Sequence, residues 1–239
     1  MIAIYKKEIK MFFNTVEGYV AISVFLILNT LILWYIPSDL NIFHNNQSSL
    51  LPFFSITPWV FLILIPAITM KMISSEITQK TTIILFTKPI KKWEIIVSKF
   101  FASFTIGIIS IIPTLIFVYS LYHISDPKGN IDGGELIGSY IGVIMLLSVY
   151  SSIGLFCSSI SSNIMVSFIS TIIIILFFLF GLELLGNIYN SQMLEYLSIN
   201  SHYESISRGV IDSRDIIYFT SLTICFLHFS TFRIQNNNR

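Results

Sequence analysis

The chain has 239 residues, of which 54% are hydrophobic and 11% are charged, and its formal net charge is +1. Soluble domains carry about 25% charged residues, so this composition excludes an ordinary soluble protein and predicts an integral membrane protein. The apolar composition makes the lipid bilayer the expected partner. The net charge of +1 says nothing about nucleic acid, but the sequence shows no basic tail, so no nucleic-acid partner is expected. Cys157 and Cys225 both lie in apolar stretches, so we expect inert small core residues rather than a disulfide or a metal site.

The first residues predict an amphipathic helix. Within 2–16, apolar side chains recur at spacings of three and four, and three lysines occupy the other side; the apolar set is Ile2, Tyr5, Ile9, Phe12, Phe13 and Val16. This pattern is typical of a helix that lies in the membrane interface, here over 1–17. The alternative is a plain extension of the first span, but Asn14, Glu17 and Gly18 favour a break.

Six apolar stretches approach the roughly 20 residues that a helix needs to cross a bilayer. They predict an all-α polytopic membrane protein with one transmembrane domain over 1–239, and the spans are 18–36, 51–70, 100–122, 136–159, 164–182 and 216–232. The last is short and contains His228. Pro58 and Pro66 should kink the second span unless a neighbour satisfies the carbonyls they free. Gly138, Gly142 and several serines predict that the fourth span lies inside the bundle.

Basic residues are distributed very unequally between the two sides of this topology. With both termini inside, the inner side holds eleven Lys and Arg, and the outer side holds only Lys128, Arg208 and Arg214. The positive-inside rule therefore predicts that the N- and C-termini are both cytoplasmic.

The segment 71–99 contains six of those lysines and only two glutamates, Glu76 and Glu94. It is long enough to dock a soluble partner. Ser74 or Ser75 could cap a helix running to about Phe86, and Pro89 could begin a second one. The alternative is that its lysines only set the topology and attract lipid headgroups.

The segment 183–215 is predicted to form short amphipathic helices at the outer face. Asp212 fits the N-cap of the last span, and Asp215 in the first turn suits the helix dipole. His202, Glu204, Asp212 and Asp215 are also the chain's best candidates for a membrane-enzyme site.

The chain lacks motifs of several enzyme classes. GxxxxGK[ST], HExxH and GxSxG do not occur, so ATP is not bound through a P-loop in this chain. The middles of the first five predicted spans carry no charged residue, whereas ion-coupled carriers usually need one. Energy is therefore expected from outside the chain.

Three stretches carry a resemblance to a known family. They are 58–102, which reads PWVFLILIPAITMKMISSEITQKTTIILFTKPIKKWEIIVSKFFA, 153–168, IGLFCSSISSNIMVSF, and 201–219, SHYESISRGVIDSRDIIYF. Together they resemble the six-span permease subunits of ABC-2 type transporters, and among these the GldF-like permeases of bacterial gliding motility. The chain departs from the family pattern at Ser75, Lys80 and Ile83.

The resemblance implies a non-catalytic exporter subunit in the bacterial inner membrane. It implies that 71–99 is a coupling segment for a separate ABC ATPase, which binds the ATP and Mg²⁺, and that the permease pairs with a second copy or another membrane subunit. The predicted docking residues are Glu76, Thr81, Thr87, Lys88, Pro89, Lys91, Lys92, Trp93 and Glu94. The outer family motif is His202, Arg208, Gly209, Asp212 and Asp215. A membrane enzyme and a non-transporting envelope scaffold remain the alternatives, and the sequence names no cargo.

Overall fold

The computed structural model describes residues 1–42, 49–79, 91–125, 128–210 and 212–236. Every regular element within these ranges is helical, which confirms the predicted fold class. Six helical segments are long and apolar enough to cross a membrane: Val16–Tyr35, Leu51–Thr78, Lys92–Ile124, Gly133–Ile160, Ile164–Tyr189 and Ser213–Ile234. Each contains or overlaps one of the six predicted spans.

The described helices are numbered here along the chain. In chain order they are α1 (Ile2–Phe13), α2 (Val16–Thr30, extended by a π turn at Leu31–Tyr35), α3 (Leu51–Thr69), α4 (Ser74–Thr78), α5 (Lys92–Ile111), α6 (Leu115–Ile124), α7 (Gly133–Ile160), α8 (Ile164–Leu176, extended by a π turn at Phe177–Gly181), α9 (Leu182–Tyr189), α10 (Gln192–Tyr196), α11 (Ile199–Ser207) and α12 (Ser213–Asn236). A 3₁₀ turn at Ile112–Thr114 joins α5 to α6.

Several helices are longer than the spans predicted within them. The helix of the third span begins at Lys92, eight residues before the predicted span start at residue 100, and it is continuous through the end of the basic segment. The last helix runs from Ser213 rather than residue 216, because the Asp212 side chain accepts the backbone N–H of Arg214 at 3.0 Å and lets a polar first turn form.

The break after α1 is confirmed, since α1 ends at Phe13 and α2 begins at Val16. Helix α1 packs against α5, and its buried residues are Ile4 and Glu8. A glutamate is buried there because it finds a cationic partner, described below. Of the predicted apolar set, Tyr5, Ile9, Phe12 and Phe13 are partly buried against the core, whereas Ile2 and Val16 are exposed. The position of α1 in the membrane interface stays a prediction.

The predicted cap at Ser74 or Ser75 was wrong. These serines are the first two residues of α4, and their hydroxyls donate to the carbonyls of Met70 and Lys71 instead of accepting an N–H of the next turn. This helix ends at Thr78, and Gln79 is a turn, so the one continuous helix predicted to run to about Phe86 was wrong. The helix start predicted at Pro89 lies outside the described residues.

Helix α7 is the centre of the bundle, as predicted, and contacts α3, α5, α8, α11 and α12. Small residues permit this approach: Gly154 lies against Thr69 of α3, and Gly142 lies against Ile206 of α11. Gly138 and Gly142 therefore serve packing within the chain, as the sequence favoured. The first and fifth spans are the least enclosed, because only 22% of the residues in the most apolar stretch of each are buried.

We predict that Gly154→Ala destabilises the bundle. An added Cβ would lie 2.1 Å from the Thr69 hydroxyl oxygen, so α3 and α7 must separate. Overpacking of this kind costs about 1–3 kcal/mol, which lowers the thermal midpoint by roughly 2–12 °C for a chain of this size. Gly133→Ala is the matched control, because a Cβ there meets open space. Equal midpoints for the two purified variants would contradict this packing.

Helix α3 remains continuous through Pro58 and Pro66. Pro58 removes the N–H that would bond the Phe54 carbonyl, four residues earlier. The Tyr203 hydroxyl of α11 donates to that carbonyl at 2.7 Å. Tyr203 thus satisfies the carbonyl that Pro58 leaves without its helical donor. The sequence predicted a kink at Pro58 unless a neighbour did so.

The connections lie at two ends of the bundle. We call the end formed by 1–15, 70–79, 91–99 and 160–163 the basic end. We call the end formed by 36–42, 49–50, 128–135 and 183–215 the acidic end. The positive-inside rule predicts that the basic end is cytoplasmic.

Candidate functional site

A buried lysine organises the basic end. Lys99 of α5 is 1% exposed, and its Nζ lies 2.7 Å from Glu8 Oε1, 3.0 Å from Glu76 Oε1 and 2.5 Å from the Met72 carbonyl oxygen. The three protons of the ammonium group are therefore matched by three acceptors. We call Lys7, Glu8, Glu76 and Lys99 the ion-pair cluster.

Lys7 completes this cluster at the protein surface. Its Nζ donates to Glu76 Oε1 at 2.8 Å and lies 3.7 Å from Glu8 Oε1. Burial by itself lowers the pKa of Lys7, but the hydrogen bond and charge of Glu76, together with Glu8, outweigh it and raise that pKa. Two cations and two anions balance, so the cluster has no net charge.

The ion-pair cluster joins three separate pieces of chain. Glu8 belongs to α1, Glu76 to α4, and Lys99 to the second turn of α5. Glu76 precedes 80–90 in the chain and Lys99 follows it, so their contact brings the two ends of the basic segment together. Ser158 of α7 holds the same region, because its hydroxyl oxygen lies 3.1 Å and 3.0 Å from the backbone nitrogens of Ile73 and Ser74.

The predicted docking residues divide into three groups. Glu76 is 7% exposed and faces inward in the ion-pair cluster. Lys91 and Trp93 are exposed, with Trp93 at 44%, and Lys92 and Glu94 are intermediate. Thr81, Thr87, Lys88 and Pro89 lie outside the described residues. Docking by any of them stays a prediction. Glu76 is buried, so it would affect docking through its contacts with Lys7 and Lys99.

Sequence reasoning missed Glu8 and the role of Lys99. Lys99 was counted with the lysines of the loop, and Glu8 was not singled out. One signal was present: Glu8 follows Ile4 by four residues, so the two share a face of α1, and a carboxylate on a buried face needs a partner.

The acidic end brings part of the outer family motif together. His202 Nδ1 lies 2.6 Å from Asp215 Oδ1, and both side chains are buried. Gly209 has φ +83 and presses on the Glu135 backbone, where a Cβ would lie 2.6 Å from Glu135 Cα. Arg208 forms an exposed pair with Glu204, away from His202, and Asp212 caps α12.

The membrane-enzyme alternative required His202, Glu204, Asp212 and Asp215 to converge. Only His202 and Asp215 meet, and His202 Nε2 is 2.8 Å from the Tyr196 carbonyl oxygen rather than beside a hydroxyl or thiol. No set of three metal-ligating side chains occurs within the described residues. Cys157 is buried and Cys225 is exposed, so Cys225 is not the core residue that the sequence predicted.

These observations define a multi-pass α-helical membrane protein with an ionic junction at its basic end. Residues 2–227 match the family described as ABC-2 family transporter protein. The chain belongs to this family of membrane transport components, which confirms the broader part of the resemblance. No curated protein matches the chain.

Proposed function

We propose that the chain is the permease subunit of an ATP-driven exporter, and that a separate ABC ATPase docks on 71–99 at the cytoplasmic face of the inner membrane. The observation that supports this most is the ion-pair cluster. In it, Lys99 pairs with Glu76 of α4 and with Glu8 of α1, so the two ends of the basic segment are joined to each other and to α1, and Lys99 itself belongs to α5 at the start of the third span. A displacement of that segment by the ATPase would therefore also displace α1 and α5.

The exposed residues beside the cluster suit a protein partner. Trp93 and Lys91 are exposed next to this junction, and tryptophan is enriched among residues that dominate binding energy. The ATP and Mg²⁺ would be bound by the partner.

A second membrane subunit is part of the proposal. The first and fifth spans keep most of their apolar surface exposed, so a second copy or another permease could pack there, with lipid covering the remainder. The similarity over 58–102, 153–168 and 201–219 supports the finer proposal of a GldF-like permease serving gliding motility or secretion.

We predict that Trp93→Ala weakens ATPase docking roughly tenfold or more, as expected for removal of a central aromatic contact. The test is affinity purification of the tagged chain from gently solubilised membranes, with mass spectrometry of the recovered P-loop ATPase. ATP hydrolysis by the recovered complex should fall in parallel.

Trp59→Ala is the matched control, since Trp59 is 52% exposed but lies in the second span, stacked on Phe180 at 4.8 Å. It should not affect recovery of the ATPase. If no ATPase accompanies the folded wild-type chain in several detergents, the proposal fails and the scaffold alternative gains. If Trp93→Ala and wild type recover equal amounts, the partner docks elsewhere.

A further inference from the structure

Both ring nitrogens of His202, the atoms that can carry a proton, face oxygen atoms of the protein. Nδ1 faces Asp215 Oδ1 at 2.6 Å, and Nε2 faces the Tyr196 carbonyl oxygen at 2.8 Å. The Tyr218 ring is stacked on the imidazole with a centroid distance of 4.0 Å, and the Tyr196 ring meets it edge-on at 5.0 Å. His202 is 5% exposed and Asp215 is also 5% exposed.

A count of protons shows what this arrangement requires. A neutral imidazole carries one N–H, yet both ring nitrogens here face oxygen atoms. With an ionised carboxylate and a neutral ring, one nitrogen lone pair would point at an oxygen less than 3 Å away. The pair therefore holds one more proton than those two species supply.

That additional proton belongs on the ring. Imidazole is intrinsically more basic than a carboxylate, and a ring stacked on tyrosine is favoured as a cation. We propose that His202 is an imidazolium ion. Its ion pair with Asp215, which we call the latch, holds α11 to α12 at the acidic end and forms only when the imidazole is protonated. This site goes beyond the transport function and does not depend on an ATPase.

The latch matters because α11 and the residue before it join four spans. Tyr203 bonds the Phe54 carbonyl of α3, and the Ser139 hydroxyl of α7 donates to the Ser207 carbonyl. The Ser198 hydroxyl donates to the Leu179 carbonyl in the π turn of the fifth span. Burial raises the pKa of Tyr203, so that hydroxyl stays neutral. Of these four attachments, the one between His202 and Asp215 joins two ionisable side chains.

Other titratable groups on the packed elements have contacts of their own. Glu183 accepts from Asn200, Glu204 pairs with Arg208, Glu135 accepts from Ser49, and Asp212 accepts from the Arg214 backbone. The Tyr218 hydroxyl donates to the Leu197 carbonyl. The remaining charged groups of these elements within the described residues are Glu195, Arg214 and, in the last turn of α12, Arg233. Among the described contacts of His202, the charged partner is Asp215.

The decisive variant is Asp215→Asn. Its amide can donate to Nδ1 while a neutral imidazole donates from Nε2 to Tyr196, so both hydrogen bonds survive without the additional proton. The stabilisation from the wild-type latch should be present where imidazole is protonated and should be lost as the pH rises. We therefore expect the thermal midpoint of the wild-type protein, relative to Asp215→Asn, to fall by roughly 3–8 °C between about pH 5.5 and about pH 8.5.

Glu204→Gln is the matched control, because it alters an exposed ion pair on the same helix and should preserve the wild-type pH profile. Identical profiles for wild type and Asp215→Asn would overturn the proposal.

A second measurement needs no substitution in the latch. A chain in which His44, His123 and His228 are replaced by asparagine keeps His202 as its one histidine. Its ¹⁵N spectrum near neutral pH should show two protonated ring nitrogens, and a single protonated nitrogen would overturn the proposal even if Asp215→Asn fails to fold.

Discussion

Replacing Lys99 with methionine is expected to cost about 3–5 kcal/mol of folding free energy, because it removes the buried cation that contacts the buried carboxylates of Glu8 and Glu76. Native proteins are stable by about 5–15 kcal/mol, so the loss is large. The yield of monodisperse protein and its thermal midpoint in detergent measure the effect.

The double variant Lys99→Met/Glu8→Gln tests whether charge is the cause. It removes one cation and one anion, so Lys7 and Glu76 remain as a balanced pair. We expect it to recover a substantial part of the stability lost in Lys99→Met. A double variant no more stable than the single one would show that Lys99 acts through its packing instead.

Lys71→Met provides the comparison with an ordinary surface pair. Lys71 contacts Glu17, and both side chains are exposed to solvent or headgroups. Exposed pairs contribute about 0–1 kcal/mol, so this variant should behave nearly as wild type. A loss as large as that of Lys99→Met would contradict the distinction drawn here between buried and exposed ion pairs.

The second large effect is expected at Tyr203. Tyr203→Phe removes the hydroxyl that satisfies the Phe54 carbonyl, and an unsatisfied buried acceptor costs about 1–3 kcal/mol. Thermal unfolding of the purified protein should show a midpoint lowered by roughly 2–12 °C.

Pro58→Ala is the informative partner for this experiment. Alanine restores the N–H that proline lacks, so the Phe54 carbonyl can again be satisfied within α3. Tyr203→Phe should therefore cost much less in a Pro58→Ala background than in wild type. Additive losses in the double-mutant cycle would mean that the hydroxyl and the proline are independent.

Glu76 illustrates how the structure changes an experiment suggested by the sequence. If Glu76 were a docking residue on an exposed basic loop, the Glu76→Lys variant would be expected to uncouple an ATPase without loss of expression. In the structure, the substitution would place a third cation beside Lys7 and Lys99 in a buried site. Trp93→Ala is the cleaner test, because Trp93 is exposed.

The spans and the break after α1 were readable because they depend on local runs of sequence. A bilayer selects about 20 apolar residues wherever they occur, and a helix terminus depends on a few adjacent residues. The central position of α7 was readable for a similar reason, since small residues on one helix indicate close approach whichever helix packs there.

The contacts that define the two ends were decided by the tertiary structure. Glu8 and Lys99 are separated by 91 positions, and Tyr203 and Phe54 by 149. Hydrophobic periodicity reports which face of a helix is buried, but it does not report which distant group will neutralise a charge or accept a hydrogen bond on that face. The sequence thus determined a six-span membrane protein, while packing in three dimensions decided that Glu8, Glu76 and Lys99 meet and that His202 faces Asp215.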